Sequence, residues 1–287
     1  MRKEALCFPK SILIETSNTC QGLCKFCPYS RIRKNDSLEL ISEETFYSLI
    51  DEISKYNPKR ITLFNNNEPL LDKRIFKFIE YTYEKNKNTE ITLSTNGIIL
   101  TKDILKKLRD SHLTTLYISV PTVNVEKYEY LMGFKPYKLF QLLESIDDSS
   151  LRKMIRIAVP ETIYFDRASM QKKFEGYLIC SWPLEYKGSW LMKEEFKKFF
   201  PKSSYVGPCD RPLDQAVISS NGDVIICCRD WNKENVIGNI NNDSLYNIWT
   251  SEKMKQIQNK IINKKYNEIK CCSTCSLNYE YYKEEQI

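Results

Sequence analysis

Histidine is almost missing from this chain: His112 is the only one in 287 residues. It lies far in sequence from the cysteine-rich stretches, so no imidazole stands near them to complete a zinc site, which wants four ligands. No run of 18 apolar residues occurs, which excludes a membrane-spanning helix of the usual length. The apolar stretch after Met1-Arg2-Lys3-Glu4 is too short for a secretion signal, so a cytoplasmic location is expected. No internal repeat or low-complexity linker stands out. The length therefore suits one large domain, or one domain plus a small module. A strong excess of one charge is lacking too. The net charge is only +6, and basic residues alternate with acidic ones, as in Lys102-Asp103, Lys106-Lys107 and Arg109-Asp110. Solvated helix faces explain that pattern better than a nucleic-acid surface does.

Cysteine, by contrast, is plentiful, with eleven copies. In a cytosolic chain this points to metal or redox chemistry rather than to a disulfide scaffold. Three thiols fall within eight residues, Cys20, Cys24 and Cys27, spaced C-x3-C-x2-C. Thiolates are soft ligands that suit iron in a sulfide cluster. Three of them can hold three irons of a four-iron cube and leave the fourth iron open to a small chelating molecule. A zinc knuckle or a disulfide pair is the competing reading. Cys7 and Cys180 belong to no motif and read as plain thiols.

Periodicity gives the scaffold. Strands are expected at 11–15, 60–64, 90–94, 115–119 and 154–159, alternating with helices that begin near Ser42, Lys73, Thr101, Val125 and Tyr137. Ser42 and Thr101 are good N-caps, and Glu43 and Glu44 suit the positive end of a helix. Strand–helix alternation argues for parallel βα units. A closed eightfold barrel takes about 250 residues, whereas about 190 are at hand, enough for six units of an open partial barrel. Chemistry in such folds gathers in the loops after the strands.

The cysteine loop, with Phe26 just before its last thiol, resembles that of the radical S-adenosylmethionine (radical SAM) family. The resemblance implies a (β/α)6 barrel and a [4Fe-4S] cluster on Cys20, Cys24 and Cys27. It also implies SAM bound to the open iron and cleaved to a 5′-deoxyadenosyl radical that abstracts a substrate hydrogen. Asn65-Asn66-Asn67-Glu68-Pro69 sits where the family has Gly-Gly-Glu or Gly-Glu-Pro, so Glu68 and Pro69 are expected at the SAM amino group. Asn66 and Asn67 replace the glycines, and Asn tolerates left-handed backbone better than most residues. Ser94 and Asn96 of Ser94-Thr95-Asn96-Gly97, Ser119 at the end of the fourth strand and Arg156 on the fifth are further candidate SAM contacts.

From about Ser203 the pattern changes. Ser220-Asn221-Gly222 joins two apolar runs as a β-hairpin. Cys209, Cys227, Cys272 and Cys275, with Gly222 between the first two, resemble the shortened SPASM module called a twitch domain. That likeness implies an auxiliary [4Fe-4S] cluster held by four protein thiolates. Cys228 could stand in for Cys227, and Cys271 for Cys272. Cys228 is either a small buried hydrophobe or a hydrogen-atom donor to a substrate radical. The expected division is a radical SAM core over 1–200 and the auxiliary module over 201–287.

Two outcomes of the shared radical chemistry compete. In twitch-bearing dehydrogenases of aminocyclitols an Arg-Gly-Gly stretch contacts the substrate oxygen, and Lys187-Gly188 occupies the corresponding point here. That favours dehydrogenation of a sugar-like alcohol, with Lys187 at the substrate, although Lys lacks the planar fork of Arg. Modification of a ribosomal peptide, by cross-linking or epimerisation, is the alternative. The usual leader-binding extension is not expected, because the first strand begins near Ser11. Reduced flavodoxin or ferredoxin is the expected electron donor, and neither nucleic acid nor membrane is an expected partner.

Overall fold

The structure, a computed structural model, describes residues 5–32, 37–183, 209–273 and 275. Nine strands form one sheet in the order β6-β5-β4-β3-β2-β1-β7-β8-β9. The first six are β1 (Ser11–Ile14), β2 (Arg60–Thr62), β3 (Glu90–Thr95), β4 (Thr115–Ser119), β5 (Ile155–Glu161) and β6 (Leu178–Pro183). Each is parallel to the next, so the sequence neighbours are sheet neighbours. The sheet stays open, in keeping with a partial barrel of six strands.

Alternation along the strands sorts their residues. Ile12, Ile14, Ile61, Ile91, Leu93, Leu116, Ile118, Ile155, Ile157 and Val159 are buried against the helices in one hydrophobic cluster. The opposite face carries Leu13, Thr62, Thr92, Ser94, Tyr117, Ser119 and Ala158, aligned by register as Leu13 with Thr62, Ser94 with Tyr117 and Ser119 with Ala158. Successive side chains of a strand point to opposite faces, so the isoleucines build the shell and the hydroxyls line the concave wall. Each fully buried Ile contributes about 1.5–3 kcal/mol, which fixes the register, because a one-residue slip would exchange the two faces.

The helix at Glu43–Ser54 starts where Ser42 accepts the Thr45 amide, and the helix at Lys102–Asp110 where Thr101 accepts that of Ile104. Phe46 and Phe78 stack at 3.9 Å between ring centroids, locking the first of these helices to the one at Ile75–Lys85. No described helix is long and apolar enough to cross a membrane.

The expected hairpin is β7 (Gln215–Ile218) and β8 (Asp223–Ile225), turned at Gly222, whose φ of +88° suits glycine. A third strand, β9 (Val236–Asn239), extends it. The hairpin does not stand apart from the barrel. β7 pairs in parallel with β1, from Ser11 with Gln215 to Ile14 with Ile218, so one sheet runs through both regions.

Candidate functional site

The cysteine loop leaves the C-terminal end of β1 and is pinned from several sides. The Tyr29 hydroxyl accepts the Cys20 amide and donates to the Asn18 carbonyl, each at 2.8 Å. The Glu68 amide donates to the Thr19 carbonyl, and the Lys25 amide to that of Leu131. The Cys24 thiol lies 3.7 Å from the Met132 sulfur. Gly133 caps the helix at Val125–Met132 with φ +80°, and a Cβ there would come within 2.9 Å of Leu23 Cβ. These anchors gather Cys20, Cys24 and Cys27 at the mouth of the barrel.

Glu68 is buried. Its carboxylate accepts the Thr95 hydroxyl at 2.8 Å, the Asn96 amide at 2.7 Å and the Leu70 amide at 3.3 Å. Burial outweighs these bonds and lifts its pKa to about 7. The side chain thus ties the loop after β2 to the loop after β3, a role the motif reading did not give it. Asn96 in turn points its amide at Cys20 Sγ, 3.9 Å away, and Pro69 opens a buried 3-10 turn. Neither Asn66 nor Asn67 adopts a positive φ, so they do not mimic glycines by backbone. They act through polar contacts instead. The Asn66 amide N–H donates to Glu15, its side chain reaches the Cys228 carbonyl at 3.4 Å, and the Asn67 side chain reaches Ser17.

Ser94 and Ser119 lie half-buried on the concave wall. Arg156 shares that wall in register with Tyr117, yet its guanidinium donates to the carbonyls of Lys153 and Ile155, near the N-terminal end of β5. It is engaged at the end of the strand opposite the cysteine loop, because the second residue of a parallel strand sits too low to reach the mouth. Lys187 lies outside the described residues.

Three features fit the cysteine loop to a cluster and a chelated ligand. Gly22 leaves a cradle: an added Cβ would stand 3.3 Å from Cys20 Sγ and 3.6 Å from Cys24 Sγ. The Gln21 amide is buried with neither its oxygen nor its nitrogen hydrogen-bonded to any described residue. Burial pushes the Cys20 thiol up to about 12 and raises Cys24 as well, so these thiols ionise only if a cation joins them.

The second cysteine set closes around one cavity, lined by Cys209, Cys227, Cys271, Cys272 and Cys275 together with Arg211 and Arg229. The Arg229 amide donates to Cys227 Sγ at 3.4 Å. Burial lifts the Cys209 thiol to about 11, opposed by the backbone N–H and the charge of Arg211. Cys271 instead hydrogen-bonds Cys272, with the sulfurs 3.9 Å apart, and faces Asp230; these contacts and burial hold it protonated. Cys228 is not among the described lining residues and packs with Leu13, Val217 and Ile225, which favours Cys227 on the cavity side. Among the described residues no three ligating groups stand close enough to share a single metal ion. The thiols ring a space, an arrangement that suits the separate irons of a cube.

Residues 14–159 match the radical SAM superfamily, and residues 209–276 match the SPASM iron–sulfur cluster-binding domain. The chain belongs to the radical SAM superfamily. As a radical SAM protein with a SPASM domain it is an oxidoreductase that uses S-adenosylmethionine, a SAM-binding [4Fe-4S] cluster and an auxiliary [4Fe-4S] cluster. It is 21% identical over 276 residues to the S-adenosyl-L-methionine-dependent 2-deoxy-scyllo-inosamine dehydrogenase of Niallia circulans, covering 96% of this chain and 95% of that protein. Among solved structures it resembles BtrN in complex with AdoMet and 2-DOIA, with a TM-score of 0.70, 19% identity and coverage of 95% and 94% of the two chains. It also resembles SuiB of Streptococcus suis bound to the precursor peptide SuiA, with a TM-score of 0.66, 17% identity and coverage of 95% and 71%. At these identities the structural likenesses speak for the fold of this radical SAM chain.

The motif reading missed Tyr29, Glu15, Arg211 and Arg229. Glu15 is wholly buried and accepts the amides of Asn66 and Ser220. A carboxylate ending an apolar strand is a signal that could have singled it out. No motif marks the other three, although each stands close in sequence to a cysteine of its site.

Proposed function

We propose that this enzyme dehydrogenates an alcohol of a sugar-like or aminocyclitol small molecule. The observation that carries the proposal is the bond from Asn66 to the Cys228 carbonyl. It joins the Glu68 loop directly to the chain beside the second thiol cavity. The full-length likeness to a 2-deoxy-scyllo-inosamine dehydrogenase supports the substrate class. When bound, SAM with its cluster supplies a 5′-deoxyadenosyl radical, and the auxiliary cluster supplies an electron sink. The substrate carbon gives up a hydrogen atom, then an electron and the hydroxyl proton, and C–OH becomes C=O.

The residues divide this work. Cys20, Cys24 and Cys27 hold the first cluster, and Cys209, Cys227, Cys272 and Cys275 the second. Glu68 and Pro69 shape the SAM loop, with Glu68 fixing the Asn96 backbone so that the Asn96 side chain stays at Cys20. Ser94 and Ser119 offer hydroxyls to SAM or substrate from the concave wall. From its place in the sequence Lys187 is the proposed partner of the substrate oxygen, and reduced flavodoxin or ferredoxin is the proposed source of the priming electron. The second reading, modification of a peptide, takes Cys228, packed with Leu13 and Val217, as a candidate hydrogen-atom donor.

The test is anaerobic reconstitution. Wild type should hold about eight irons, and a variant with Cys20, Cys24 and Cys27 changed to Ala about four. With aminocyclitols as substrates, wild type should yield 5′-deoxyadenosine and a product lighter by two hydrogens. A product of unchanged mass that takes up solvent deuterium would favour epimerisation, and absence of 5′-deoxyadenosine would sink both readings.

A further inference from the structure

The second thiol cavity contains two groups that ligation does not require. Among the described residues lining it, both charged side chains are arginines, Arg211 and Arg229. They come from different directions. Arg211 follows Cys209 by two residues and opens the short helix at Arg211–Asp214, whereas Arg229 follows the Cys227–Cys228 pair beyond β8. The Arg229 side chain lines the cavity together with Cys275, far away in sequence, and its own backbone N–H points at Cys227 Sγ, 3.4 Å away. Arg211 lines the same cavity as Cys209, Cys227, Cys272 and Cys275. A guanidinium keeps its charge even when buried, and a buried charge is retained only where an opposite one repays its desolvation.

We propose that Arg211 and Arg229 are positioning residues that set the reduction potential of the auxiliary cluster, raising it so that the cluster accepts an electron. A cube ligated by four thiolates carries net negative charge and becomes more negative on reduction. Hydrogen bonds to the ligating sulfurs and nearby positive charge both favour the reduced form, and net charge, sulfur hydrogen bonding and burial are the protein's levers on such a potential. Arg229 supplies a backbone hydrogen bond to one ligand, and the side chains of Arg229 and Arg211 each bring a positive charge to the wall of the thiol cavity. The reduction is a one-electron step: the cluster gains the electron that leaves the substrate radical, whose hydroxyl proton departs to solvent. The inference rests on the pocket holding an auxiliary cluster and not on which alcohol is the substrate.

The test is an anaerobic redox titration followed by electron paramagnetic resonance. It uses the full-length chain with Cys20, Cys24 and Cys27 changed to Ala, so that only the auxiliary cluster contributes, with iron content measured alongside. Changing Arg229 to Gln should make the cluster about tenfold harder to reduce, a shift of about 59 mV to more negative potential for one electron. Arg211→Gln should shift it in the same direction. Arg229→Lys, which keeps the charge and loses the fork, should fall between wild type and Arg229→Gln. An unchanged potential in both Gln variants at full iron content would overturn the proposal. So would loss of iron in both Arg229→Gln and Arg229→Lys, which would make Arg229 a structural support only. A parent chain that holds no iron after reconstitution would refute the cluster reading of the pocket itself, separately from any substrate assignment.

Discussion

Glu68 carries the sharpest consequence at the scale of single residues. A carboxyl held near 7 by burial, against about 4.5 in the unfolded chain, favours folding only while it is protonated. Its contribution is full below about pH 4.5 and is lost as pH rises through about 7, at about 1.4 kcal/mol per unit, or about 3 kcal/mol in all. The urea midpoint of the cluster-free protein should therefore fall between pH 5 and pH 8. In Glu68→Gln that fall should flatten. The variant should also start lower at pH 5, because an amide cannot accept from Thr95, Asn96 and Leu70 together; the mismatch costs about 1–3 kcal/mol. An equal slope in both proteins would show that Glu68 is not the group responsible. Legibility at this scale was uneven. Cys20, Cys24 and Cys27 could be proposed as ligands from spacing, because a cluster needs several thiols at short intervals, whereas Cys209, Cys227, Cys272 and Cys275 were proposed from the likeness to a twitch domain. The Glu68 motif marked the right residue while hiding its bonding, since what a carboxylate accepts depends on two loops meeting.

At the scale of elements, the cysteine loop is ordered by what lies under it. The helix at Val125–Met132 ends in Gly133, whose left-handed backbone turns the chain away while Leu23 rests on the space its absent Cβ leaves. Gly133→Ala should cost about 1–2 kcal/mol for the backbone alone, with further loss from displacing Leu23. Thermal melting of the reconstituted protein should drop by several degrees, and iron at the first site should fall while the second keeps its share. Unchanged melting and iron content would show that the loop does not depend on this contact. Five of the six barrel strands, the hairpin and most helices could be read from periodicity and caps, because those signals are local, whereas β6 and β9 were not read. The helix at Ser149–Met154, capped by Asp148, escaped notice, as a six-residue helix presents too few turns for a period to emerge.

At the scale of the whole molecule, the parallel pairing of β1 with β7 joins the two regions into one sheet. Glu15, at the end of β1, reinforces the seam by accepting the amides of Asn66 and Ser220. Trp249 ties the other end, donating to the Leu6 carbonyl at 2.8 Å. The cluster-free chain should therefore unfold in one cooperative step. Tryptophan fluorescence, which includes the buried Trp231 and Trp249 of the C-terminal region, should give the same urea midpoint as far-ultraviolet circular dichroism. Separated midpoints would mean that the expected regions 1–200 and 201–287 are energetically independent despite the shared sheet.

The amino-acid sequence alone determined the family, the two cysteine sets, the six-unit barrel and the hairpin turn, because spacing, period and turn chemistry act over a few residues. Only the tertiary structure decided that the hairpin continues the barrel sheet, that Glu68 faces Thr95 and Asn96, that Arg156 is engaged at the far end of its strand, and that Arg211 and Arg229 meet the same thiols. Each of these depends on which of many distant segments are brought together. Packing of the whole chain selects among those pairings, and no local pattern encodes the choice.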